Sequence, residues 1–306
     1  MPEADLKLSP FLLLYSQMLT VIIVSFNTRE ITLTCLERLY QSSKTDFETI
    51  LVDNASTDGS AEKAAELFPQ VKIIRNRTNM GFAKANNQAM KIASGDTFLL
   101  LNSDCFVNPD TIAIILNKCK NPGYDVLGCK LLDDDGSIQQ SWGYFPTLRR
   151  ITLMMFFIDN LPGIRDIIDS VHVRSLKRYE KLTEADWVTG AFLMLKKRVF
   201  DRAGGLDEKF FMYGEEIEWQ YRIKNLGFKI WYDPEASATH LCGASSPTRS
   251  PAVIGEIKGW KYWFSKYHPG FQETVLKVVV FAGCLLRMIL KPKFKNYYRQ
   301  VLNQII

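Results

Sequence analysis

The chain has 306 residues, enough for one large α/β domain or two small ones. Its composition, 47% apolar and 23% charged, excludes a disordered, collagen-like or low-complexity protein. A net charge of +5 is too small for a dedicated nucleic-acid binder, and its placement is uneven: residues 271–306 hold six bases and one acid, leaving 32 of each sign in residues 1–270.

The stretch from Leu8 to Thr28 is uncharged but carries Pro10, Ser16, Gln17, Thr20, Ser25 and Asn27, and the acids Glu3 and Asp5 do not suit the basic start of a signal peptide. Its second half, Val21–Val24, reads as a buried strand, which makes residues 1–17 an extension ahead of Met18. Further strands are expected at Thr49–Val52, Val71–Ile74, Thr97–Leu101 and Val126–Leu127. Helical patterns fall between them at Ile31–Gln41, Ser60–Phe68, Phe82–Ala93 and Pro109–Lys118. This alternation predicts an α/β fold with a mostly parallel central sheet and helices on both faces, and such sheets bind ligands at the carboxyl ends of their strands. Periodicity weakens over residues 136–186, where Asp133-Asp134-Asp135-Gly136 reads as a solvated turn. It resumes at Trp187–Phe192, with a helix over Lys196–Ala203 closed by Gly204-Gly205 and another opening at Glu215-Glu216-Ile217-Glu218. Strand pieces follow at Ile230–Tyr232 and Ala236–Thr239.

Three strand ends are polar: Ser25-Phe26-Asn27, Asp53–Ser60 and Asn102-Ser103-Asp104. Each alone is accounted for by turns and helix N-caps; three on one sheet edge point to a ligand site. The acids Glu215, Glu216 and Glu218 fit the first turn of a helix dipole, and crowded carboxylates among aromatic residues also suit a general base. Of three histidines, His240 stands out, at a strand end before Gly243 and Ser245. It is open to a structural role or, with Asp104, to holding a divalent ion. The six cysteines form no CxxC pair, which points to reduced thiols and a cytoplasmic setting. Walker A, GxGxxG, GxSxG and HExxH patterns are absent.

In order along the chain, Val21–Asn27, Val52–Gly59, Asn79-Met80-Gly81-Phe82-Ala83, Asn102-Ser103-Asp104, Val188–Phe192, Phe211–Glu218 and His240–Ser245 resemble the inverting family 2 glycosyltransferases of the GT-A fold, in particular the rhamnosyltransferase-like branch. The resemblance covers about residues 19–270. It implies a catalytic domain over 18–270, with a nucleotide-binding half (18–130) and an acceptor half (131–270). It further implies that Ser25 and Asn27 line the nucleotide site, that Asp53 receives the N3–H of a uracil or thymine ring, and that Asn79 and Gly81 shape the pocket wall. Asp104 would bind Mg²⁺ or Mn²⁺ at the diphosphate, assisted by His240. Glu216 would deprotonate the acceptor hydroxyl, with Glu215 as the alternative base, while Trp187, Gly190 and Ala191 would line the sugar and acceptor cleft. Asn102 stands where the family's metal motif begins with Asp, and Glu216 where the base is often Asp. The donor would be a UDP- or dTDP-sugar, dTDP-rhamnose among them, and the acceptor a lipid-linked or cell-surface glycan. A sugar nucleotidyltransferase would want a glycine-rich loop after the first strand, which Ser25–Arg29 lacks; a non-catalytic nucleotide- or glycan-binding module is the other alternative.

The tail, 271–306, lies outside this resemblance. Its longest uncharged piece, Val278–Leu286, is far shorter than the roughly 18–20 residues that cross a bilayer. An apolar run followed by Lys291, Lys293 and Lys295 suits an amphipathic helix at an anionic membrane surface, placing the protein at the inner face of the cell membrane. Packing on the catalytic domain or in a dimer is the alternative.

Overall fold

The computed structural model describes residues 18–42, 46–241 and 250–305. The extension 1–17 and the Cys242–Ser245 part of the last motif lie outside these residues. In chain order the elements are β1 (Leu19–Ser25), α1 (Arg29–Ser42), β2 (Phe47–Asp53), α2 (Ser60–Leu67), β3 (Lys72–Arg75), α3 (Gly81–Ile92), β4 (Thr97–Asn102), β5 (Cys105–Val107), α4 (Thr111–Cys119) and β6 (Val126–Leu132). The middle of the chain holds β7 (Trp142–Gly143), α5 (Leu148–Met155), α6 (Ile164–Ile167), β8 (Thr183–Glu184) and β9 (Trp187–Val188). After it come β10 (Phe192–Lys196), α7 (Lys197–Ala203), α8 (Glu215–Asn225), β11 (Ile230–His240), α9 (Ser250–Tyr267), α10 (Phe271–Leu290) and α11 (Lys295–Ile305).

The main sheet runs β3-β2-β1-β4-β10-β6-β11-β5, with β8 added beside β11. Strands β3, β2, β1 and β4 are mutually parallel, whereas β10 runs antiparallel between β4 and β6. The apolar runs of β1, β2 and β4 are buried on both faces, as a strand covered by helices on each side must be. One core layer joins the sheet to α1 and α4; the other joins it to α3 and α7. Register aligns the strand ends: Ser25 stands opposite Asp53, and Val24 opposite Asn102. The two strand pieces expected between Ile230 and Thr239 are one strand, whose pairing with β6 shifts between Asp233 and Ser237. Pro234 lies in that interval, where a ladder can tolerate a residue lacking an N–H.

A third core layer contains Ile151 and Met155 of α5, Trp187, Ile217 of α8, Phe264 of α9 and Val280 of α10. The tail is therefore built into the body along one face, with Leu276, Val280, Gly283 and Cys284 buried. Arg287 fixes it further: its guanidinium donates to the Met154 and Met155 carbonyls at the end of α5 and lies 4.4 Å from the Phe157 ring centre. The opposite face leaves Val278, Phe281, Leu285 and Ile289 exposed. Among the described residues no helix is long and apolar enough to cross a membrane. The cysteines among them are buried and unpaired.

Candidate active site

At the parallel strand ends the polar residues divide into those that build the turns and those left free to act. Asn54, 2% exposed, organises one wall. Its Nδ2 donates to Asn79 Oδ1 at 2.9 Å and to the Gly81 carbonyl at 3.3 Å, while its Oδ1 accepts from Asn76 Nδ2 and the Met80 N–H. Asn79 is thus held in the wall, and its Oδ1 also receives the Gly81 N–H at 3.0 Å. Gly81 has φ +79°, and a Cβ there would lie 2.3 Å from the Phe211 carbonyl oxygen. That same oxygen accepts the Phe82 N–H at 2.9 Å, so the start of α3 clamps the 210–214 loop.

Asn27, at φ 52°, crosses to the β2 turn: its N–H donates to Ser56 Oγ and its Oδ1 accepts the Thr57 N–H at 2.8 Å. It lines an open cleft of about 490 Å³ with Thr28, Arg29, Glu30, Ile31 and Asp58. Ser25 lies beneath, 1% exposed, its hydroxyl 2.9 Å from that of Thr32. Asp53 differs from all of these. It is 5% exposed, its Oδ2 accepts the Ser56 N–H at 3.3 Å, and its Oδ1 is buried with no hydrogen-bond partner. A buried carboxylate oxygen is costly to leave unpaired.

Asp104 and His240 approach across β5 and β11, with His240 Nε2 3.3 Å from Asp104 Oδ1 and 3.4 Å from Asn102 Nδ2. The Leu241 N–H donates to the Asp104 carbonyl, tying the two ends together. Ala191 joins this edge to β10, since its carbonyl accepts the Asn102 N–H at 3.0 Å. Next to it is Gly190, where a Cβ would be 3.3 Å from the Phe82 ring and 3.7 Å from Glu216 Cβ. A continuous edge thus runs from Asp53 through Asn102, Asp104 and Gly190 to Glu216. Trp187 stays below it: the indole is 2% exposed and its Nε1 donates to the Val171 carbonyl at 3.1 Å. Its large apolar ring gains more from the core than a place in the cleft would give it.

The three acids of α8 are separated by their environments. Glu218 is fully buried but well paired, accepting from Arg222, Lys266 and Tyr267, contacts that hold its carboxyl below the ordinary value. Glu215, 4% exposed, has an unpartnered Oε2, and burial together with the Glu216 charge pushes its carboxyl well above the ordinary range. Glu216 is only half-buried; its Oε2 accepts the Gly214 N–H at 3.2 Å. Burial raises its carboxyl too, opposed by backbone N–H groups at the helix start and by His172. His172 carried no signal in the sequence. It meets Glu256 of α9 at 2.7 Å and stands edge-on to Trp187. The parts played by Asn54 and Gln139 (which bonds His240) were equally hidden, because both depend on partners distant in the chain.

A parallel half-sheet with acid-bearing strand ends, closed by a second half that carries a paired-acid helix, defines a glycosyltransferase of the GT-A architecture. The chain belongs to glycosyl transferase family 2, whose profile matches residues 20–183. It is 25% identical over 274 residues to an N-acetylglucosaminyl-diphospho-decaprenol L-rhamnosyltransferase of Mycobacterium tuberculosis, covering 82% of this chain and 85% of that protein. It is 24% identical over 292 residues to the low-salt glycan biosynthesis hexosyltransferase Agl10 of Haloferax volcanii, covering 90% and 86%. Among solved structures it is similar to the mannosyltransferase PcManGT of Pyrobaculum calidifontis, in complex with GDP-Man and Mn²⁺, with TM-score 0.57, 16% identity and coverage of 94% of this chain and 74% of that one.

Proposed function

We propose that this glycosyltransferase moves a sugar, with inversion, from a UDP- or dTDP-sugar to a hydroxyl of a lipid-linked or cell-surface glycan. The donor assignment is carried by the buried, unpaired Oδ1 of Asp53 at the parallel strand ends. A pyrimidine N3–H supplies the missing donor, and a charged acceptor makes that bond stronger than a neutral pair. The relatives' printed activities, rhamnosyl transfer to a diphospho-decaprenol glycolipid and hexosyl transfer in glycan synthesis, support the acceptor class.

Asp104 and His240 fit a divalent cation, Mg²⁺ or Mn²⁺: one carboxylate and one imidazole on a single edge, with the remaining oxygens left to a diphosphate. Among the described residues no cluster of three or more protein ligands offers a closed site. When bound, such an ion stabilises the charge of the departing nucleoside diphosphate. Glu216 is the proposed base. The residue is half-buried, its Cβ beside Gly190 and its carboxyl at the Gly214 N–H, and burial raises its affinity for a proton, which suits removal of the acceptor proton. Glu215, whose carboxyl burial and the Glu216 charge push well above the ordinary range, supports the turn. Asn27 and Arg29 border the nucleotide cleft, while Gly190 and Ala191 keep the sugar side of the edge low.

The exposed face of α10, with Lys291, Lys293 and Lys295 beyond it, is proposed to rest on an anionic membrane at the inner face of the cell membrane, next to a lipid-linked acceptor. The test of the main reading is slow donor hydrolysis over a panel of UDP-, dTDP-, GDP- and CMP-sugars with Mn²⁺. Hydrolysis confined to pyrimidine diphosphate sugars is expected; equal use of GDP-sugars would refute the role given to Asp53.

A further inference from the structure

The Asp133–Gly136 turn, which reads in the sequence as solvated surface, makes contacts that bear on the site. β6 and β11 are parallel, with Leu132 opposite Thr239, so the end of β6 emerges beside His240. There the chain folds back: the Asp133 N–H donates to the Ser137 carbonyl at 2.8 Å, and the Gly136 N–H to the Asp133 carbonyl at 2.9 Å. Gly136, at φ +82°, supplies the left-handed residue that this reversal needs. The returning strand pairs Ile138 with Leu132, and the Gln139 N–H donates to the Leu131 carbonyl. This delivers the Gln139 side chain onto the His240 ring.

Chemistry then fixes which way each group faces. Gln139 Nε2 donates to Asp133 Oδ1 at 2.7 Å and to the His240 backbone carbonyl. Both partners only accept, so the amide nitrogen belongs at that end. The amide oxygen is thereby left 2.9 Å from His240 Nδ1. An amide oxygen cannot donate, so the ring hydrogen sits on Nδ1. Nε2 is thereby turned toward Asp104 and the Asn102 amide, the nitrogen through which the ring would meet a cation. Asp133 is itself held, with its other oxygen accepting from Ser137 Oγ at 3.2 Å.

We propose that Gln139, oriented by Asp133, is a positioning residue that locks the His240 ring with Nε2 turned toward Asp104, the arrangement required for the pair to hold a cation at the nucleoside diphosphate. The proposal rests on the metal-assisted donor reading above. Outer partners of this kind orient metal-binding histidines, and their loss typically costs about 10- to 100-fold in metal affinity.

Two measurements on the full chain separate the proposal from that reading. Long-range ¹H–¹⁵N spectra of the imidazoles report which nitrogen carries hydrogen, and three histidines make assignment direct with a His240→Asn reference. Wild type is expected to show an Nδ1–H ring at His240. Gln139→Leu should lose it, and Asp133→Asn, which keeps an acceptor for the Gln139 amide, should largely retain it. In parallel, UDP binding is titrated with and without Mn²⁺. Gln139→Leu should weaken the Mn²⁺-supported binding at least about tenfold and leave metal-free binding unchanged. An Nε2–H ring in wild type, or an unaltered ring in Gln139→Leu with Mn²⁺-supported binding intact, overturns the relay. If the ring responds as expected but wild-type UDP binding ignores Mn²⁺, the positioning stands and the metal-assisted reading fails.

Discussion

Replacing Gly81 by alanine tests how tightly the donor wall holds the loop ahead of the proposed base. The new Cβ would meet the Phe211 carbonyl oxygen at 2.3 Å, where ordinary contact begins at 3.4 Å, so the loop must retreat by about 1 Å. Alanine at φ +79° costs about 1–2 kcal/mol, and losing the Phe82–Phe211 backbone bond about 0.5–1.5 more. The sum, about 1.5–3.5 kcal/mol, corresponds to a melting-temperature fall of about 2–5 °C in a chain of 306 residues. Phe211 lies four residues before Glu215, so the same displacement moves the start of α8. A misplacement of about 1 Å at reacting groups can lower turnover about 100-fold. Differential scanning calorimetry and steady-state transfer assays read the two effects, and UDP titration checks that the Asp53 side is changed only a few-fold. A variant with wild-type melting and wild-type turnover would refute the claim that this glycine pins the loop.

Glu216→Gln should keep donor binding and lose at least about 100-fold in transfer, with residual activity no longer rising with pH as it does when a carboxyl must first deprotonate. Glu215→Gln should stay active and change stability instead. A carboxyl raised in the folded state contributes stability that is complete below the ordinary carboxyl pKa and is lost as pH rises through the folded one, so the variant's melting advantage should grow from pH 4 to pH 9. Asp53→Ala should weaken UDP binding with or without Mn²⁺, whereas Asp104→Ala should remove only the metal-supported part; calorimetric titration showing the same metal dependence for both would merge their roles. For the tail, Lys293→Gln with Lys295→Gln should weaken sedimentation with anionic vesicles by about 2 kcal/mol, about 30-fold, at low salt and leave melting unchanged. Val280→Asp, which places a charge in the buried face, should lower the melting temperature by several degrees.

What the sequence alone determined is local and periodic. The uncharged runs at β1, β2 and β4 had to be covered on both faces, which set a parallel sheet and put Asn27, Asp53 and Asp104 at its carboxyl ends. The acid-rich first turn of α8 was equally plain, because dipole and charge act within one helix. Side-chain direction was left to the tertiary structure. Trp187 sits in the chain among the residues proposed for the sugar side, yet its ring joins the core because α5, α9 and α10 cover that side. Glu215, Glu216 and Glu218 look alike as letters, and only packing makes one paired by Arg222 and by Lys266 and Tyr267 of α9, one buried with an oxygen lacking a partner, and one half-open. The tail's amphipathic pattern shows that one face is buried without saying against what; α5 fills that role. Gln139 reaches His240 across 101 residues through the register of two parallel strands, and no spacing rule spans that distance.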